Sequence, residues 1–201
     1  MHMRDISELD RKAVDYSVTI VSKVAGADLH RPTPCGEWDL TQLLTHMAAQ
    51  HRGFAAAARG HGADPAVWRM DPPADPVAAY REAAADVTAA FSEAGVPQRV
   101  FALPEFGPGF TAPGGQAIGF HLIDYVVHGW DVARAIDLPY ALDPELAEPA
   151  LRIAEAVPDG DFRSQPGSAF APAVPNAAPS DPLARILSLL GRSPSWPVVV
   201  K

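Results

Sequence analysis

The sequence predicts an all-α fold: a bundle of four long helices with long connections and a short helical C-terminal extension. Three observations carry this reading. Apolar residues recur at the 3.6-residue helical period along most of the chain. Helix-start signals recur as Asp followed by Pro, at Asp75-Pro76, Asp143-Pro144 and Asp181-Pro182. Strand signal is confined to two short runs, VFAL at 100–103 and PVVV at 197–200.

The elements follow in order. In residues 6 to 25, Leu9, Ala13, Tyr16, Ile20 and Val24 mark one face of a first helix. The second opens with a capping box, Asp39 as cap and Gln42 as its partner, with Trp38 and Leu43 placed for a hydrophobic staple. It runs to about Arg59, before Gly60 and Gly62. The third runs from Pro76 to about Ala94, with Gly95 as its C-cap. The fourth, QAIGFHLIDYVVHGWDVARAI, spans 116–136. Shorter helices follow Asp143, to about Val157, and Asp181, stopping at Gly191. The connections 60–75 and 95–115 are too long for tight hairpins, so they cross the bundle or cover a pocket. Residues 158–179, rich in Pro, Ala, Gly and Ser, read as an ordered-to-floppy excursion over the surface rather than a domain linker. Residues 1–201 therefore read as one domain, with its core in 6–157 and a Pro-rich loop and short helix in 158–201.

Composition bounds the function. Hydrophobic residues make up 48% of the 201-residue chain, enough for a core. With 24 acidic against 16 basic side chains the net charge is −8, and no stretch is strongly basic. Such a surface repels phosphate backbones and anionic lipid, so nucleic acid and membrane are excluded as expected partners. No apolar run reaches the ~20 residues that span a bilayer, and the N-terminus shows no signal-peptide pattern. Cys35 is the single cysteine, which excludes an internal disulfide and suits a cytoplasmic protein.

The chemistry sits on the fourth helix. At about 100° per residue, His121, Asp124, His128, Val132 and Ala135 share one stripe, with Asp131 at its edge. The other faces are apolar through Leu122, Ile123, Val126, Val127 and Trp130, and a helix apolar nearly all round is buried. Two imidazoles and a carboxylate there need partners, because unpaired burial costs roughly 1–3 kcal/mol per group. Asp124 and His128, at i and i+4, project side by side and can bind one divalent ion. His46 on the second helix is the candidate third ligand. Gln50 and Gly53 share its face, and Gly53 would leave space beside it. His51, about 140° around the helix, faces solvent or another element. Three N/O ligands with an open position describe a catalytic site, with zinc first among the fitting ions and nickel, iron or manganese as alternatives. The competing reading is a buried hydrogen-bond network without metal. His121 is a pocket wall or, less simply, a fourth ligand. Asp131 either orients a ligating histidine or pairs with Arg134 or another base on the surface. Cys35 is a minor candidate near the metal, and a buried or loop thiol is the plainer reading.

Three segments carry a family resemblance: PTPCGEWDLTQLLTHM from Pro32 to Met47, DYVVHGWDVARA from Asp124 to Ala135, and LLGRSPSW from Leu189 to Trp196. Together they resemble the actinobacterial family built on the N-terminal domain of mycothiol-dependent maleylpyruvate isomerase, within the DinB-like superfamily of metal-binding four-helix bundles. The resemblance implies a DinB-like bundle with a long crossover and matches His46, Asp124 and His128 to the family's metal ligands. The isomerase has Glu where this chain has Asp124, one methylene shorter. It also carries a separate C-terminal domain for which this chain is too short, so isomerase activity itself is not carried over. Mycothiol as cosubstrate and a homodimer are further implications.

The functional expectation is a metal-dependent enzyme with a thiol cosubstrate, a transferase or isomerase acting on a small electrophile. The alternatives are a non-catalytic metal- or ligand-binding protein and a secondary-metabolism tailoring enzyme that uses the bundle pocket without metal.

Overall fold

The computed structural model describes residues 5–36, 38–165, 168–175, 178 and 180–197. The helices begin where the sequence caps them. α1 (Ile6–Val21) starts at Asp5, whose carboxylate accepts from the Ser7 N–H at 3.0 Å. α2 (Leu40–Ala58) has both halves of its capping box: Gln42 N–H donates to Asp39 at 2.9 Å, and Asp39 N–H donates to Gln42 at 3.0 Å. α3 (Pro76–Phe91), α5 (Pro144–Ala156) and α6 (Pro182–Leu189) each follow an Asp cap with proline in the first turn. Proline costs nothing there because its missing N–H would have no partner inside the helix. α4 spans Gly114–Ala135.

Several expectations are corrected. α1 ends at Val21, short of residue 25, and α3 ends at Phe91, short of Ala94. Gly95, at φ +77°, does not cap α3 but opens a 3-10 turn at Val96–Gln98. Another Asp-Pro, Asp64-Pro65, opens a second such turn, Pro65–Trp68, inside the connection 60–75. Strand β1 (Val100–Ala102) is where VFAL predicted it. Its antiparallel partner β2 (Thr111–Pro113) was not expected, because three residues including a proline carry no strand signal. The PVVV candidate lies, from residue 198, outside the described residues.

In the bundle α1 packs along α4 and α2 along α3. α5 and α6 cover the outer side of α4: Leu122, Ile123, Val126, Val127 and Trp130 meet Leu146, Ala150, Ala154, Ile186, Leu187 and Leu190. This leaves α4 buried on nearly every face, as its composition predicts. The described part of the segment after α5 lies at the ordered end of that expectation. Arg163 is 4% exposed and donates to the carbonyls of Pro158, Val157, Ala171 and Leu189 at 2.7–3.3 Å, pinning the Pro-rich chain to the ends of α5 and α6. One buried guanidinium outweighs the loop-like composition around it. No helix among the described residues is long and apolar enough to cross a membrane.

Gly53 does not leave space beside His46. Its missing side chain is filled by Trp68, whose indole carbons would lie 2.2–2.7 Å from a Cβ there. The Trp68 N–H donates to the Gly62 carbonyl at 2.8 Å, which fixes the ring. Gly53→Ala is therefore expected to destabilise the protein by about 1–3 kcal/mol through overpacking. The same change in an open helix interior stabilises by about 1 kcal/mol. Urea denaturation decides the sign.

Candidate metal centre

α2 and α4 lie side by side with their polar residues facing. The Tyr125 hydroxyl donates to the Met47 carbonyl, and the His51 ring stacks on Tyr125 at 3.8 Å and 8°. At this crossing His46 meets the Asp124–His128 pair. One ligand atom from each of the three lies within 4.8 Å of the others. His128 Nε2 is 3.4 Å from Asp124 Oδ1. Two ligand atoms bonded at about 2.1 Å to one tetrahedral ion stand about 3.4 Å apart, so this edge already has the length a shared ion needs. The His46 and His128 rings meet edge to face, with centroids 5.3 Å apart.

The electrostatics suit a cation. Burial, with the neighbouring His128 adding to it, pushes the His46 imidazole down to about 4, so at neutral pH it offers a lone pair. The His128 side chain is 3% exposed and that of Asp124 19%, so the cluster is closed from below and reached from the Asp124 side. Trp38, expected as a staple on Leu43, places its ring 4.7 Å from that of His46 and is 36% exposed. It walls the same side.

The other singled-out residues divide. Asp131 takes the orienting position: its Oδ2 is 3.0 Å from His128 Nδ1, which donates to it. It is fully buried rather than on the surface, and its basic partner is Arg192, at 3.1–3.2 Å. Arg134 donates elsewhere, to the Trp196 carbonyl. Burial alone would raise the Asp131 carboxyl, but Arg192 and His128 overcome it and hold the group ionised below the usual range. Cys35 accepts from Arg192 Nη2 at 3.0 Å, and burial lifts its thiol to about 12. Cys35, His128 and Asp131 also offer atoms within 4.8 Å of one another, but the Arg192 guanidinium lies among them and repels a cation. Gln50 hydrogen-bonds Glu105.

His121 is neither pocket wall nor ligand. It is fully buried, with Nδ1 donating to Asp10 at 2.6 Å and Nε2 3.0 Å from His51 Nδ1. Two turns before His128, α1 and the second half of α2 close over this face of α4, so the stripe runs from the His46–Asp124–His128 cluster into the core. His51 likewise packs against another element and not solvent, and its buried Nε2 has no partner among the described residues. Sequence reasoning missed Asp10, which reads as an ordinary polar residue of an N-terminal helix, and Glu105, which sits in a connection. Burial, relieved by the Gln50 bond and reinforced by the Asp124 charge, raises the Glu105 carboxyl.

The family model described as the mycothiol maleylpyruvate isomerase N-terminal domain matches residues 11–133. The chain belongs to this family. The matched span contains His46, Asp124 and His128. Two family-sized relatives are uncharacterized proteins of Mycobacterium tuberculosis, Rv0738 of strain H37Rv and MT0763 of strain CDC 1551. Each is 33% identical over 186 residues, covering 91% of this chain and 95% of the relative. Among solved structures, a histidine-to-alanine mutant of mycothiol-dependent maleylpyruvate isomerase superposes with a TM-score of 0.62 at 14% identity, over 90% of this chain and 79% of that one. A second crystal structure of that isomerase gives 0.58 at 15% identity, over 82% and 72%. At such identities the likeness shows the fold, a DinB-like helical bundle.

The depressed His46 gives a pH dependence to the metal-free protein. Between about 4 and 6.5 the unfolded chain takes up a proton that the folded His46 refuses, so stability is full above the upper value and falls as pH drops through the lower one. The buried His51 acts in the same direction. Denaturation midpoints are expected to rise from pH 5 to pH 7, and less so in His46→Gln. An unchanged slope in that variant would remove His46 from the account.

Proposed function

We propose that the chain is a metal-dependent enzyme that uses a low-molecular-weight thiol, mycothiol, to transfer to or isomerise a small electrophilic molecule. The observation that carries this reading is the convergence of His46, Asp124 and His128 on one point with a partly exposed carboxylate at its rim. The donor set is two neutral imidazoles and one carboxylate, which fits zinc first and nickel, iron or manganese as well. A divalent ion held there would lower the pKa of a bound thiol or water and make a thiolate or hydroxide available at neutral pH.

The chain's own residues supply the rest. Asp131 holds the His128 ring through Nδ1 and leaves Nε2 for the ion. Trp38 shields the His46 side. Glu105, tied to Gln50 one turn beyond His46, carries a carboxyl raised above its ordinary value and is the candidate group for moving a proton at the mouth. The family and its solved isomerase supply the thiol side of the reading.

The reading of a closed, non-catalytic site needs a fourth protein ligand from His121 or Cys35. His121 is engaged by Asp10 and His51, and Cys35 by Arg192. That supports the open, catalytic alternative.

Two measurements test the proposal. Elemental analysis of protein purified without chelators is expected to find near-stoichiometric metal in the wild type and little in His46→Ala or His128→Ala. Incubation of the metal-loaded wild type with mycothiol and a panel of small electrophiles is expected to yield a thiol conjugate or an isomer, lost in both variants. Wild-type protein without metal sinks the centre. Metal without turnover leaves the binding reading in its place.

A further inference from the structure

A single arginine joins three distant parts of the chain behind His128. Arg192 is 4% exposed. Its Nε lies 3.1 and 3.2 Å from the two Asp131 oxygens, and its Nη2 donates to Asp131 Oδ2 at 3.1 Å and to Cys35 Sγ at 3.0 Å. The same Asp131 Oδ2 accepts from His128 Nδ1 at 3.0 Å. One continuous path thus runs from the C-terminal segment through α4 to the imidazole whose Nε2 faces Asp124 and His46.

The local sequence explains how the arginine gets there. Leu190 caps α6, and Gly191 takes φ +76°, a left-handed conformation that other residues adopt at a cost. The Arg192 N–H then donates back to the Leu187 carbonyl at 2.8 Å. The reversed chain delivers the guanidinium inward instead of along the helix. A Cβ on Gly191 would also meet the Ala171 carbonyl oxygen at 2.6 Å, so the turn has no room for another residue.

An ion pair this deep is an expensive way to stabilise a bundle, since desolvation of both charges offsets most of their attraction. Its geometry serves another purpose. A carboxylate free to rotate would let the His128 ring flip or change tautomer, whereas one held by a forked guanidinium fixes which nitrogen is bare. We propose that Arg192 is a positioning residue for the metal centre: through Asp131 it locks the His128 ring with Nε2 presented to the ion. This rests on the metal reading above and assigns the C-terminal segment, which lies beyond the span matched by the family model, a role at the site.

The test separates positioning from stability. Zn²⁺ affinity is measured by competition with a chromophoric chelator, and thermal unfolding is followed on the same metal-free proteins. Asp131→Leu and Arg192→Met each leave a buried charge unpaired, so both are expected to lose thermal stability and to bind Zn²⁺ about 10- to 100-fold more weakly. The double variant Asp131→Leu with Arg192→Met removes both charges. It is expected to regain most of the lost thermal stability while keeping the weak Zn²⁺ affinity. A double variant that binds Zn²⁺ as the wild type does overturns the positioning role and leaves the metal centre standing. A wild type that takes up no Zn²⁺ overturns both. Arg192→Lys covers a double variant that fails to fold: it keeps the charge without the fork, and an affinity equal to wild type overturns the proposal, while several-fold weaker binding at an unchanged unfolding temperature supports it.

Discussion

α4 imposes the constraint around which the rest is arranged. It is buried on almost every face and yet carries His121, Asp124, His128 and Asp131. Each of those groups costs free energy in the core unless something answers it. The surrounding elements are positioned to answer them. α1 brings Asp10 to His121, and α2 brings His51 to His121 and His46 to the Asp124–His128 pair. The segment after α6 brings Arg192 to Asp131. The apolar contacts of α1, α2, α5 and α6 with α4 supply the driving force, and these polar contacts restrict which packing satisfies it.

The two histidine clusters on this helix differ in how their ligand atoms are arranged and reached. Asp10, His121 and His51 form a chain in which each group has its neighbour as partner, and all three are sealed. Burial raises the Asp10 carboxyl and depresses the His51 imidazole, as expected of groups with no access to water. The atoms lie in a line, not around a point, so they cannot share an ion. His46, Asp124 and His128 surround a point instead, and Asp124 reaches solvent. Residue types are similar in both. Convergence and access distinguish them.

How much of this the sequence reveals depends on the range of the interaction involved. Caps are local, so Asp39 with Gln42 and the three Asp-Pro starts are legible with their partners named. The i, i+4 relation of Asp124 and His128 is local too. The facing of His46 required a second helix and came from its apolar neighbours and the family resemblance. His121 was misassigned because helical spacing says which residues share a stripe and not where along it the core closes. Gly53 was misread for a related reason: a small residue marks close approach but not by what, and here the visitor is Trp68 from a 3-10 turn. Asp10, Arg163 and Arg192 carry no local signal at all. Their most distant partners are 111, 26 and 61 residues away along the chain, although Arg163 also holds three carbonyls closer in sequence.

Those long-range partners also explain why the C-terminal third of the chain is built as it is. Its composition is that of a loop, and two buried arginines are among its anchors. Arg163 ties the Pro-rich segment to the ends of α5 and α6 chiefly by four backbone carbonyls, with the half-exposed Asp159 carboxylate 3.5 Å from its Nε. Arg192 does the opposite, spending its fork on the Asp131 carboxylate and the Cys35 thiol. A backbone anchor holds a segment in place whatever its sequence. A side-chain anchor fixes the orientation of the group it holds, and that group here is hydrogen-bonded to a histidine at the mouth of the bundle. The segment after α6 therefore packs like an appendage but ends in a contact that fixes the carboxylate behind His128.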